Sequence, residues 1–385
     1  MWSRYLNKLN RGGVAVSKLL KYKIDKKPFP LCVHLQISKR CNLKCIYCYA
    51  DPENLANVPD LEYEEYTRLI DELASMGTRW IRFLGGEPLI RTDIGQMIDY
   101  ANKKGMVTEM NTNGYFMKQR AEYIKNLDSL VVSIDGTRET NDKCRGSGSY
   151  DKAIQAIEIA KDLGMTVRLH GCLSKYHTLE DINHLPQLAV KYGTAFNFSA
   201  PSPVYFKDDQ RMEGHPSQEQ VAMLHQRCVE LKKEGYPLTN TDTAARFVKK
   251  WPNTQGDVLT KKDIENMTIP KGTYVPCKAG KLYCTIDVDG RVYACASLWK
   301  YGLNYKEVGF RKAWEYLNDL DCVSCNYIAN IELNLLLDLN LNTLFEIISY
   351  ILGRTARIGR KKRPSFSMKN IPQKEKRKDH EKSPA

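Results

Sequence analysis

Three thiols stand within eight residues in Cys41-Asn-Leu-Lys-Cys45-Ile-Tyr-Cys48, a C-x3-C-x2-C spacing. Thiolates so placed on one short loop can ligate three irons of a 4Fe–4S cube and leave the fourth iron open to a small chelating molecule. Zinc is the alternative, but zinc sites take a fourth Cys or His close by. A second set comprises Cys277, Cys295, Cys322 and Cys325, with Gly290-Arg-Val-Tyr-Ala-Cys295 as G-x4-C and Cys322-Val-Ser-Cys325 as C-x2-C. Four thiolates close a cluster completely, which suits electron transfer or structural support; tetrahedral zinc is the alternative there. Cys284 falls between two of these ligands and reads either as a replacement for one of them or as a hydrogen donor near substrate.

The elements that must position these thiols alternate in type. Strands are predicted at Val33–Ser38, Trp80–Leu84, Val107–Asn111, Leu130–Ile134, Thr166–Cys172 and Ala195–Ser199, with helices between them near 62–76, 94–104, 117–126, 150–163 and 178–192. Six β/α units imply an α/β fold, a partial (β/α)6 barrel, with chemistry at the carboxyl ends of the strands. The first cysteine loop follows the first strand. Gly85-Gly86-Glu87-Pro88 follows the second, Asn111-Thr-Asn113-Gly114 ends the third, and Ser133-Ile-Asp135-Gly136 ends the fourth. Alternation puts Ser133 and Asp135 inward with Val131; a simple capping turn is the other reading of this pair. On strand five Arg168, His170 and Cys172 share the inner face, as do Asn197 and Ser199 on strand six, making them substrate-pocket candidates. Thr285–Val288 and Arg291–Ala294, joined by Asp289-Gly290, read as a hairpin.

Six segments follow: a basic extension over 1–30, the barrel over 31–210, a connecting helical region over 211–276, a cysteine-rich domain with a β-hairpin over 277–330, an amphipathic helix over 331–352, and a basic, disordered tail over 353–385. The net positive charge belongs to the two ends. Residues 1–28 carry a net +7 and residues 353–385 a net +9, within a chain of +13 overall. Leu341, Leu344, Phe345, Ile348 and Leu352 recur at helical spacing before six Arg/Lys in 354–363, and Trp2, Leu6, Leu9, Leu19 and Leu20 mix with Lys and Arg. Such helices either lie on an anionic bilayer or dock on the protein's own core. Residues 1–28 hold no continuous apolar stretch, so no signal peptide is predicted. No apolar run reaches 18 residues, so no spanning helix is predicted either. Clustered cysteines in a long chain suit a reducing compartment, which places the protein in the cytoplasm, peripheral on the inner face of the membrane. The body lacks the interleaved aromatic and basic residues of a nucleic-acid surface.

The cysteine loop after a first strand, followed about forty residues later by Gly85-Gly86-Glu87-Pro88, resembles the radical S-adenosylmethionine (SAM) superfamily; the motif order holds from residue 33 to about 325. The resemblance implies a catalytic 4Fe–4S cluster on Cys41, Cys45 and Cys48 with SAM at its open iron. It implies that the backbone at Tyr47 meets the adenine, and that Gly85, Gly86, Glu87 and Pro88 hold the SAM amino group, the glycines by close approach and Glu87 by pairing an ammonium. Asn113 belongs to the same cofactor-binding set. Ser133 and Asp135 are expected at the ribose hydroxyls and Arg145 at the SAM carboxylate. The second cysteine set is similar to the twitch/SPASM auxiliary domain of that superfamily, in the shortened form with one auxiliary 4Fe–4S cluster. The implied activity is reductive cleavage of SAM to a 5′-deoxyadenosyl radical that takes hydrogen from an unactivated C–H bond. A low-potential electron donor such as ferredoxin or flavodoxin is the implied partner. The basic, amphipathic ends point to a lipid or isoprenoid substrate at a membrane surface. Peptide or protein modification is the alternative, because many relatives with this auxiliary domain mature peptides. A non-catalytic iron–sulfur carrier or scaffold is the third reading.

Overall fold

The computed structural model describes residues 2–48, 59–201, 214–252 and 258–358. Six parallel strands form the body: β1 (Cys32–Gln36), β2 (Trp80–Leu84), β3 (Val107–Thr112), β4 (Ser129–Ser133), β5 (Val167–Cys172) and β6 (Ala195–Ser199). They pair in sequence order. The strands form because apolar and polar residues alternate. In β2, Ile81 and Phe83 are fully buried in the outer core, while Arg82 faces the barrel interior. The helices cover the outer face with apolar stripes. Helix Tyr63–Met76 buries Tyr66, Leu69, Ile70 and Leu73, and ends at Gly77, whose φ of +104° only glycine adopts readily.

The predicted hairpin exists, but it belongs to the barrel sheet. Strand β8 (Tyr283–Ile286) lies parallel to β1, with Val33 opposite Cys284. β9 (Arg291–Tyr293) and β10 (Gly302–Asn304) then extend the sheet in antiparallel sense, giving nine strands. A separate two-stranded ribbon pairs β7 (Val258–Thr260) with β11 (Cys322–Cys325). The cysteine-rich segment is thereby fixed to the barrel through shared hydrogen bonds. The buried Lys39–Asp287 ion pair (3.0 Å) adds a direct tie between the first cysteine loop and the hairpin turn.

The two ends of the described chain depart from expectation. Residues 2–25 form one helix, Trp2–Asp25, and Arg11 pins it to the barrel through Asp128 (2.6 Å), Asn102 and the Met106 carbonyl. Leu19 and Tyr22 of that helix pack with Leu31, Leu282, Leu333 and Leu337. The single amphipathic helix expected over 331–352 is two helices, Ile328–Leu337 and Leu341–Ile358, broken where Leu339 takes a φ of +53°. The second helix docks by its polar side. Thr343 is fully buried, and the Glu346 carboxylate accepts from the N–H groups of Asp242 (2.6 Å) and Thr243 (3.0 Å) and pairs with Lys232 (2.8 Å). Leu341, Phe345 and Ile348 consequently face solvent, at 81%, 73% and 53% exposure. The side chains of Trp2, Leu6, Leu9 and Leu352, and the tail from residue 359, lie outside the described residues. Among the described residues no helix is long and apolar enough to cross a membrane.

Candidate functional site

The loop bearing Cys41, Cys45 and Cys48 leaves the carboxyl end of β1 and is tied down by the motif that follows β2. Gly86 N–H donates to the Ser38 carbonyl (2.7 Å) and Glu87 N–H to that of Arg40 (2.9 Å). The glycines are required by this crossing. A Cβ on Gly85 would sit 2.4 Å from the Ser38 oxygen, and one on Gly86 would sit 2.3 Å from the Arg40 oxygen. Their close approach therefore serves the cysteine loop, and the Gly86 and Glu87 N–H groups are already spent there rather than free for a ligand. The three thiols are free and line a cleft of about 1440 Å³ together with Tyr47, Gly85, Gly86, Glu87, Pro88 and Asn113. Burial pushes the Cys45 thiol up to about 12, with the neighbouring Cys48 and Cys41 adding to the cost of ionising it. A cationic centre is what would offset that cost.

Glu87 is buried against this cleft. It accepts from Leu89 N–H (3.0 Å), Asn113 N–H (2.8 Å) and the Thr112 hydroxyl (2.8 Å). Burial nevertheless raises its pKa to about 7. A carboxylate held this way gains from an ammonium placed beside it. Asn113 also reaches across to the cysteine loop, donating from Nδ2 to Asn42 (3.0 Å).

Asp135 and Arg145, expected at the ribose and carboxylate of SAM, are bonded to one another. The Asp135 carboxylate is fully buried and accepts two bonds from Arg145 (2.8 Å each), one from Cys172 N–H (2.9 Å) and one from the Tyr47 hydroxyl. Its acceptor sites are filled, so it is not free for ribose hydroxyls. Burial opposes its ionisation, but Arg145 outweighs burial and holds the carboxyl below its ordinary value. Arg145 lines the cleft yet is neutralised by this partner, and the pair's visible role is to anchor Tyr47 beside Cys45 and Cys48. Ser133 lines the cleft as expected.

Below the cysteines lies a polar floor that sequence reasoning only partly found. His34, Arg82 and Glu109 are in register on β1, β2 and β3. Glu109 pairs with Arg82 (2.6 Å) and with Arg168 (3.1 Å). His170 is held between Asn197 (2.9 Å) and Ser199 (3.3 Å). Burial keeps both imidazoles neutral, lowering His34 to about 3 and His170 to about 4. His170, Cys172 and Ser199 line the cleft; Arg168 and Asn197 do not, being committed beneath it. Asn111 of the third-strand motif lines it, and His34, Arg82 and Tyr283 line it unforeseen, although the same period-two alternation that found Arg168 and His170 was present in β1 and β2. Alternation also removes Cys284. Its neighbour Tyr283 points into the cleft, so Cys284 points outward into the core with Val33 and lines neither cavity. The expected ligand or hydrogen-donor role for Cys284 is thereby corrected.

The structure does bring Cys277, Cys295, Cys322 and Cys325 together, from a loop, the end of β9 and both ends of β11. They surround a second cavity of about 380 Å³ with Val258, Ala279, Leu298 and Leu320. None is in a disulfide. Burial raises the Cys322 thiol, and the thiols of Cys277, Cys295 and Cys325 raise it further. The four share the lining of one space rather than pointing into different ones. Four soft donors around such a space fit a multi-atom iron–sulfur cluster.

Comparison with known proteins agrees with these geometries. The sequence pattern of the Radical SAM superfamily matches residues 35–189. The Fe-coproporphyrin III synthase of Methanosarcina barkeri is 32% identical over 325 residues, covering 79% of this chain and 77% of that one. The mycofactocin maturase MftC of Mycolicibacterium smegmatis is 25% identical, covering 74% and 70%. The crystal structure of Streptococcus suis SuiB bound to its precursor peptide SuiA shares the fold, with a TM-score of 0.59 at 18% identity over 78% of this chain and 67% of that one. With a relative above 30% identity along three quarters of both chains, and the superfamily pattern lying on the strands that carry the first cysteine loop, the protein belongs to the radical SAM superfamily, whose enzymes use a 4Fe–4S cluster and SAM.

Proposed function

We propose that Cys41, Cys45 and Cys48 hold the catalytic cluster, that Cys277, Cys295, Cys322 and Cys325 hold one auxiliary cluster, and that the enzyme modifies a peptide. When loaded and reduced, such a centre supplies cleavage of SAM to methionine and a 5′-deoxyadenosyl radical that takes hydrogen from a C–H bond. The chain's own residues do the rest. Glu87 offers a carboxylate to the SAM ammonium. The Asp135–Arg145 pair fixes Tyr47. The floor excludes water and orients the substrate. Relatives back the peptide alternative over the lipid or isoprenoid substrate read from the basic ends.

The observation that carries the peptide reading is the cleft itself. Its floor presents buried polar atoms without partners, the acceptor Asn111 Oδ1 and the ring nitrogen Nε2 of the neutral His34. The backbone N–H and C=O groups of an extended segment satisfy such atoms. A second reading rests on the Arg82–Glu109–Arg168 triad, whose net positive charge suits a carboxylate-bearing iron porphyrin, as the name of the 32% identical relative would have it. Reconstituted enzyme with SAM and dithionite distinguishes them by which addition raises 5′-deoxyadenosine release. Stimulation by a pool of synthetic peptides, with a mass change in one of them, supports the first reading; stimulation by a carboxylate-bearing iron tetrapyrrole precursor alone, converted to Fe-coproporphyrin III, supports the second and overturns the first.

Peripheral attachment to an anionic bilayer belongs to this proposal as well. It is supported by the outward stripe Leu341, Phe345 and Ile348 and by Val16, Leu20 and Ile24 on the basic first helix, all more than half exposed. Co-sedimentation with phosphatidylserine vesicles that is lost in Phe345→Ser supports it; equal sedimentation of both proteins, or none, contradicts it.

A further inference from the structure

The catalytic cleft and the auxiliary cavity share a wall. Cys295 and Asn330 line both spaces. Tyr283 lines the cleft, sits 6.1 Å from His34 between ring centroids, and lies with its hydroxyl 3.4 Å from Cys277 Sγ. Asn330 donates from Nδ2 to Cys325 Sγ at 3.5 Å. Two side chains at the substrate boundary therefore bond to two different sulfurs of the auxiliary set. A thiolate ligand can only accept, so in the loaded protein the Tyr283 hydroxyl must be the donor. Cys277 Sγ has a further donor in the Ala279 N–H (3.5 Å), which no side-chain substitution removes.

Hydrogen bonds to the sulfurs of an iron–sulfur cluster stabilise its more negative, reduced form and raise its potential. We propose that Tyr283 and Asn330 are positioning residues that set the reduction potential of the auxiliary cluster from the substrate side of the wall. The proposal rests on the reading of the second cavity as a cluster site, and concerns which residues control that cluster rather than whether it binds. Neither residue touches Cys41, Cys45 or Cys48, so the effect is specific to one cluster.

The test uses the full chain with Cys41, Cys45 and Cys48 all changed to Ala, so that only the auxiliary cluster is present. Its midpoint is followed by electron paramagnetic resonance during a redox titration. Tyr283→Phe keeps the ring and Asn330→Leu keeps the volume. Each is expected to lower the midpoint while iron content stays at that of the parent, and the double variant to lower it by about the sum. An unchanged midpoint in either single variant overturns the proposal. Loss of auxiliary iron in both overturns it too, because the side chains would then be holding the site rather than tuning it. A parent that binds no iron at all contradicts the underlying cluster reading, and is distinguished from the other failures by iron analysis alone.

Discussion

The two cysteine sites are built in opposite ways. The first gathers three thiols on one short loop at the mouth of a cleft of about 1440 Å³. The second gathers four from distant parts of the chain around a cavity of about 380 Å³. A loop-borne set leaves one direction open because the cleft occupies it; a set drawn from several elements closes around its cluster. Their supports differ likewise. The first loop is held by backbone bonds to Gly86 and Glu87, and Cys41 Sγ accepts from the Leu43 N–H at 3.4 Å. The second receives side-chain donors, Tyr283 and Asn330. In the proposed function, openness serves chemistry and enclosure serves redox control.

The comparison breaks most readily at the first site. Cys45→Ala is expected to abolish 5′-deoxyadenosine formation and to remove the iron of the first site only, leaving about four irons per chain, as read by iron analysis and liquid chromatography. Gly86→Ala drives a methyl against the Arg40 carbonyl. Its expected result is loss of most first-site iron with second-site iron unchanged, so a variant that keeps both clusters would contradict the role given to that crossing. Asp135→Asn leaves Arg145 with an uncompensated buried charge, which costs about 3–5 kcal/mol, visible as a fall in the denaturant midpoint. The smallest effect is a pH slope. In the metal-free protein, Glu87 has a folded pKa near 7, above its ordinary 4.5. The folded state then binds the extra proton, so its stability is full below pH 4.5 and falls as pH rises through 7, by roughly 3 kcal/mol. Denaturant titrations should show a steeper fall in wild type than in Glu87→Gln, where Glu332, which burial also raises to about 7, still contributes.

Much of this was legible in the sequence where a motif is local. The three-cysteine loop, the strands Trp80–Leu84 and Ala195–Ser199, and the inward set Arg168, His170 and Cys172 follow from spacing and alternation alone. What was not legible depends on partners far along the chain. Asp135 and Arg145 each looked free for SAM, and only the fold shows that they satisfy one another. Tyr283 and Asn330 carry no motif; they matter because β8 pairs with β1 and because helix Ile328–Leu337 closes the wall. The apolar stripe of the last helix was visible, but its outward direction was set by Glu346 capping the helix Asp242–Lys249.

The central claim is that one site is open to SAM and the other is closed. The most direct test is electron paramagnetic resonance of the reduced, fully loaded protein with and without SAM, beside the variant with Cys41, Cys45 and Cys48 replaced by Ala. SAM should change the signal of one cluster in the wild type and leave the variant's signal untouched. No change in the wild type, or a change in the variant, would contradict it.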